Sequence, residues 1–201
     1  TLIEAFILVF IVVYIFLQDF RSTLIPAIAV PVAIVGTFFF LQLFGFSINM
    51  LTLFAMILAI GIVVDDAIVV VEAVHAKLDE GAKSGKEATL SAMSEITGAI
   101  ISITMVMAAV FIPVSFLSGP SGVFYQQFAI TLAIAILISA INALTLSPAL
   151  CALFLKPHKD SDHHNANLKD RFFLAFNTSF DRMNNRYVKS LGFLARKKWI
   201  T

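Results

Sequence analysis

Five apolar runs separated by short polar breaks dominate the chain, at 2–18, 24–44, 50–74, 96–117 and 123–155. Each comes close to or exceeds the roughly 20 residues a helix needs to cross about 30 Å of hydrocarbon. None alternates apolar and polar positions as a barrel strand does. Backbone groups in lipid must bond within their own segment, so the runs predict membrane-spanning helices. Ser47 and Asn49 stand where the third helix needs a cap, and Ser84-Gly85-Lys86-Glu87 reads as a capping box opening the fourth. Pro26, Pro31, Pro113 and Pro148 fall near helix ends or where a bundle tolerates a kink. Beyond 155 the pattern changes: 156–167 is a polar linker, and from 168 to 192 Leu168, Phe172, Phe176, Phe180, Met183, Tyr187 and Leu191 recur at helical spacing. Arg171, Arg182, Arg186 and Lys189 take the other faces, which predicts an amphipathic helix lying on the membrane surface. Residues 193–201 read as the start of another transmembrane segment. The expected fold class is all-α integral membrane, a five-helix transmembrane bundle plus one amphipathic interfacial helix.

Composition agrees: 59% of residues are hydrophobic and 13% charged, against roughly a quarter charged in a soluble domain. A net charge of +1 gives no reason to expect a nucleic-acid partner. All 14 Lys and Arg lie between runs one and two (Arg21), between three and four (Lys77, Lys83, Lys86), or after run five, from Lys156 onward. The opposite connections, Gly45 to Asn49 and Ser118 to Gly122, carry none. Cytoplasmic loops are enriched in Lys and Arg, so Arg21, Lys83 and Lys156 are expected to face the cytoplasm and Thr1 the outside. With Thr1 opening into one apolar segment and Trp199-Ile200-Thr201 into another, the chain reads as an internal piece of a longer protein. Cys151 is single, so no disulfide forms within the chain; it reads as a small core residue. His158, His163 and His164 read as solvated linker rather than a metal site. No metal and no cofactor are expected.

Asp65 and Asp66 interrupt the run Leu51 to Val74. A charge at the bilayer centre costs from about 3 to more than 10 kcal/mol, which makes an intramembrane acid a candidate functional site. At about 1.5 Å per residue, Asp65 lies about 24 Å beyond Asn49 and about 18 Å short of Lys77, near mid-membrane. Successive helical positions point about 100° apart. At least one of the acids therefore faces the bundle interior, where Ala55, Ala59 and Gly61 allow a neighbouring helix to approach. Adjacent carboxyls titrate as a coupled pair. Such a pair, loaded from one side and emptied to the other, is the minimum equipment of a proton-driven machine. A sodium site, or polar packing between helices, competes for the same carboxylates. No Lys or Arg lies within the five runs, so a cationic partner is expected outside these residues. Glu4 and Glu72 sit near helix ends, Asn142 and Thr145 read as interhelical glue, and His75 as an interfacial residue at a helix end.

The stretch Gly61 to Glu72, with its Asp pair, resembles the fourth transmembrane helix of the resistance-nodulation-division superfamily, specifically the AcrB-type hydrophobe/amphiphile multidrug efflux pumps. Phe16 to Pro31, Phe44 to Asn49, Lys86 to Thr89 and Ser147 to Ala152 are similar, in order, to the family's connecting motifs. The likeness covers essentially the whole chain, as transmembrane helices two to six, the cytoplasmic surface helix and the start of helix seven. It implies a drug/proton antiporter, a secondary active transporter rather than an enzyme, with Asp65 and Asp66 as the proton relay and protons as the coupling ion. It further implies that the relay's lysine, threonine and arginine belong to the second transmembrane half. By the same resemblance the protein is a multi-pass subunit of a Gram-negative inner membrane, in contact with membrane lipids and assembled as a homotrimer. Its partners are then a periplasmic adaptor protein and an outer-membrane channel, engaged through parts outside this chain, and its substrates hydrophobic or amphiphilic drugs.

The alternative is a lipid-sensing or regulatory module of sterol-sensing-domain type, which is similar to the same five-helix segment. A passive membrane anchor is a third reading, in which removing both acids changes nothing.

Overall fold

A computed structural model describes residues 2–119, 121–156, 178, 180 and 182–188. In residues 1–159, six helices follow one another: α1 Leu2–Leu17, α2 Phe20–Leu43, α3 Met50–Asp79, α4 Gly85–Val114, α5 Gly122–Leu144 and α6 Leu146–Phe154. The protein is an all-α membrane protein: α2, α3, α4 and the α5–α6 unit are each long and apolar enough to cross a bilayer. The fifth expected span, α1, is equally apolar but has 16 residues, a rise of about 24 Å. Gln18, at φ 53°, and Asp19 separate it from α2.

Local chemistry accounts for most boundaries. Asp19 caps α2 by accepting from the Ser22 amide. Asn49, rather than Ser47, caps α3, accepting from the amides of Leu51 and Thr52 while the Thr52 hydroxyl accepts from the Asn49 amide. Ser84 caps α4 through the Glu87 amide, and the Glu87 carboxylate reaches back to the amide of Lys83 rather than that of Ser84. Two helices extend beyond their apolar runs: α4 starts behind its Ser84 cap at Gly85 instead of 96, and α3 continues past 74 to Asp79, where the Glu80 amide bonds back to the Ala76 carbonyl. A capped helix persists beyond the hydrocarbon, where water and side chains satisfy its ends. The run expected as one span over 123–155 breaks at Thr145 (φ −125°, ψ −65°). Pro148, three positions on, has no N–H to offer the Leu144 carbonyl, and its ring disfavours a continuous helix there.

α3 is the central element, packing against each of the other five helices. On one side, Ile60, Val63 and Val64 join Val13 of α1 and Val30 and Ala33 of α2. On another, Ala55 and Ala59 meet Leu132 and Ala135 of α5. Toward its C-terminus, Val70, Val71, Val74 and Leu78 share a core with Ile25, Ala88, Ala92, Cys151 and Leu155. Cys151 is fully buried, as expected of a small core residue.

Of residues 160–201, positions 178, 180 and 182–188 are described; they are helical, and Phe180, Met183, Tyr187 and Val188 are exposed. The rest of the expected surface helix at 168–192, most of the linker at 156–167 with His158, His163 and His164, and the segment at 193–201 lie outside the described residues.

Candidate functional site

The seam between α3 and α5 positions the acidic pair. α3 and α5 run in the same direction, pinned near their N-terminal ends by a hydrogen bond from the Asn49 side-chain amide to the Gln127 carbonyl oxygen, 2.5 Å. The small side chains of Ala55, Ala59 and Ala135 let the helices close together below this contact. Asp66 follows Ala59 by seven positions and Ser139 follows Leu132 by seven, about two helical turns in each case. The seam therefore continues into a polar pair, in which the Ser139 hydroxyl donates to Asp66 Oδ2 at 2.5 Å. Asp66 is half-buried and Ser139 is 1% exposed.

Asp65, one position back, points away from this seam. It lies on an exposed stripe of α3 with Phe54, Leu58, Gly61, Val69 and Glu72. A recess of about 290 Å³ opens beside it, lined by Gly61, Ile62, Val64, Asp65, Asp66 and Ile68 of α3 and by Ile103 and Met107 of α4. Gly61 does not serve close helix approach, as its sequence context suggests. Among the described residues a Cβ there meets nothing within 4 Å, and the glycine borders the open recess instead. Among the described residues neither acid has a cationic partner, the ion pairs being those of Lys77 with Glu80 (3.0 Å) and Glu95 (2.7 Å). The arrangement gives two carboxyls on one apolar recess, of which Asp66 is also held from α5 by the Ser139 hydroxyl.

A second polar cluster ties the basic end together. Ser22 Oγ donates to Asp19 Oδ2 at 2.6 Å and lies 2.6 Å from His75 Nε2, so the α1–α2 turn is fastened to α3. His75, at the end of α3, thus bridges to α2. Burial works to raise the Asp19 carboxyl, but the Ser22 hydroxyl and the amides of Ser22 and Arg21, with His75 nearby, together hold it below its ordinary 3.8. Asn142 does bridge helices, donating to the Ala29 carbonyl at 3.4 Å, whereas Thr145 bonds back to Ile141 within its own helix. Arg21 in the first turn of α2, Lys77 in the last turn of α3 and Lys83 in the connection that follows gather at one end of the bundle, as the contacts of Ser22 with His75, Lys77 with Glu95 and Gly85 with Leu155 require.

Ser139 is the site residue that sequence reasoning passed over. The available signal was a hydroxyl on the same face as Leu132 and Ala135, between the polar residues Thr131 and Asn142 of the same helix. It carries meaning only once α5 is known to lie against the Asp66 face of α3.

The sequence model of the AcrB/AcrD/AcrF family matches residues 1–201. The chain is similar to the multidrug export protein AcrF of Escherichia coli (strain K12), with 53% identity over 192 residues, 96% of this chain and 18% of that protein. It is similar to the toluene efflux pump membrane transporter TtgB of Pseudomonas putida (strain DOT-T1E), with 51% identity over 198 residues, 98% of this chain and 19% of that protein. The multidrug resistance protein MdtF of Escherichia coli (strain K12) is 48% identical over 196 residues, 98% of this chain and 18% of its own length. The chain thus spans 18 to 19% of the length of these curated relatives.

Proposed function

The chain belongs to the AcrB/AcrD/AcrF family, and from that premise we propose that it is the proton-coupled transmembrane portion of a multidrug efflux transporter, a drug/proton antiporter. Asp65 and Asp66 are its proton relay. The observation that carries this reading is the setting of the pair. Both acids line one open recess beside α4, and Asp66 is in addition held by Ser139 across the α3–α5 seam. Two acids serving only to pack helices have no need of such a setting. Intramembrane carboxyls that titrate and change their access as helices shift are the usual means of coupling protons to transport.

The relay's cationic counterpart belongs to the remainder of the full-length transporter, which also provides the binding sites for hydrophobic or amphiphilic drugs. By the distribution of Lys and Arg, the end bearing Arg21, Lys77, Lys83 and Lys156 faces the cytoplasm of a Gram-negative cell, across its inner membrane. Residues 1–155 make up the transmembrane bundle, 156–167 a cytoplasmic linker, 168–192 a surface helix and 193–201 the start of the next span. The assembled unit is a homotrimer that engages a periplasmic adaptor and an outer-membrane channel. Relatives named as export and efflux transporters support the transport role.

The test is transport by the full-length protein in proteoliposomes carrying an imposed proton gradient, with a hydrophobic cationic dye as substrate. Asp65→Asn, Asp66→Asn and the double variant are expected to lose dye transport while keeping wild-type thermal stability and assembly. Undiminished transport by the double variant overturns the relay.

A further inference from the structure

We propose that Ser139 of α5 is a positioning residue for Asp66, a hydroxyl that changes acceptor when Asp66 takes up a proton and so makes the α3–α5 contact sensitive to the state of the relay. The inference rests on the relay reading above and concerns how the protonation of one acid is felt by the neighbouring helix.

The behaviour of the other hydroxyls carries it. Ser and Thr inside a helix commonly donate to the carbonyl four residues earlier, and the buried or half-buried threonines beyond the first turn of these helices do so, whereas Ser94 and Ser115 donate three residues back and Ser147 has no partner among the described residues. Thr37 donates to Ala33, Thr89 to Gly85, Thr104 to Ile100 and, on α5 itself, Thr131 to Gln127, each at 2.7 to 2.8 Å. Ser139 forgoes that bond. It reaches across the seam to Asp66 Oδ2 instead, from a position that is 1% exposed. The local alternative, the carbonyl of Ala135, stays within reach of a simple χ1 rotation.

A hydroxyl is both donor and acceptor, whereas an ionised carboxylate only accepts. With Asp66 ionised, Ser139 donates to it. When a proton from a hydronium ion in the recess adds to Oδ2, that oxygen becomes an O–H donor, and the same Ser139 Oγ accepts from it only if its own hydrogen turns away to the Ala135 carbonyl. One O–H bond of the hydronium ion breaks as the Asp66 O–H forms, water is left behind, and no other covalent bond changes. The seam keeps a hydrogen bond in both states, but its polarity reverses and the i−4 bond of α5 forms or is released with it. Alanine has neither state, threonine has both, and cysteine is weak in both.

The experiment is the pH profile of dye transport by the full-length transporter in proteoliposomes, read together with thermal stability. Because a hydroxyl that donates to the ionised form favours that form, Ser139→Ala is expected to displace the profile toward higher pH by about tenfold in proton concentration. Ser139→Thr restores the wild-type profile. Ser139→Cys, which preserves volume, moves the profile in the same direction as alanine and answers the question if alanine lowers the yield of folded protein. A wild-type profile for both Ser139→Ala and Ser139→Cys overturns the proposal, including the case in which their thermal stability falls, since that leaves Ser139 a packing residue. The two readings fail separately: inactive Asp66→Asn with an unmoved Ser139→Ala profile removes only the role of Ser139, whereas active Asp66→Asn removes the relay and Ser139's part in it.

Discussion

Asp65 and Asp66 occupy one turn of α3 and line the same recess beside α4, but Asp66 is half-buried and accepts from the Ser139 hydroxyl, whereas Asp65 is exposed. Asparagine at 66 still presents a carbonyl oxygen to Ser139, and asparagine at 65 disturbs no hydrogen bond among the described residues. Both single variants are therefore expected to fold like the wild type, with melting temperatures unchanged, while proton-driven transport by the full-length protein is lost in each. Asp66→Leu differs, because it strips Ser139 of its acceptor across the seam and inserts branched carbons beside Ala135. It is expected to cost about 1–3 kcal/mol. Equal melting temperatures for Asp66→Asn and Asp66→Leu contradict the seam contact.

Asn49 has two tasks that can be separated. Its side-chain oxygen caps α3 and its amide nitrogen holds Gln127. Asn49→Ala removes both, with an expected loss of about 1–3 kcal/mol from cap and hydrogen bond together. Asn49→Asp keeps an oxygen for the cap and loses the donor to Gln127, so its cost is expected to match that of Gln127→Ala, about 0.5–1.5 kcal/mol. A double-mutant cycle between positions 49 and 127, read by thermal or denaturant unfolding in detergent, should return a coupling of that size. No coupling means that the two helix ends are held by the apolar seam alone.

Gly85 sits where α4 begins against the end of α6, and a Cβ there falls 2.3 Å from the Leu155 carbonyl oxygen. Backbone does not yield as a side-chain tip does, so Gly85→Ala is expected to push the two helices apart and cost about 1–3 kcal/mol. Gly98, in the middle of the same helix, has nothing within 4 Å of a Cβ. Gly98→Ala should therefore be neutral or slightly stabilising, in keeping with the better helix propensity of alanine. A comparison of the two melting temperatures checks the contact, and equal effects would refute it.

Asp19 makes the α2 cap dependent on pH. Its folded carboxyl is held below the ordinary 3.8, with burial opposing the Ser22 and Arg21 hydrogen bonds that lower it. A depressed carboxylate supplies its stability in full above its unfolded value and loses it as pH falls through the folded one. The contribution of Asp19 is therefore constant near neutrality and is expected to disappear only below 3.8. Asp19→Asn keeps an accepting oxygen that does not titrate, so its melting temperature should fall less steeply than wild type over that acidic interval. Parallel curves for the two proteins contradict the assignment.

The order of elements was largely legible from the chain. Long apolar runs have one solution in lipid, and the cap residues Asn49 and Ser84 act within four positions of themselves, so the hydrophobic pattern and local hydrogen bonding carry them. The break at Thr145 was less legible, because an apolar pattern does not say whether Pro148 kinks a span or ends it. The extension of α3 to Asp79 was hidden as well, since hydropathy follows the solvent while a helix follows its caps.

For the site, sequence by itself determined that two carboxyls lie deep within one apolar segment, because their identity and their distance from Asn49 and Lys77 are properties of a single helix. It equally determined the family, whose sequence model covers the chain from end to end. Only the tertiary structure decided which acid turns inward, that Gly61 faces an open recess rather than a neighbouring helix, and that Ser139 and Gln127 of α5 and Ser22 of α2 are the partners of Asp66, Asn49 and His75. The physical reason is separation along the chain: Ser139 is 73 residues from Asp66, Gln127 is 78 from Asn49 and Ser22 is 53 from His75. Helical periodicity reports the face of one helix, and nothing in that period records which other helix the packing of small side chains brings against it.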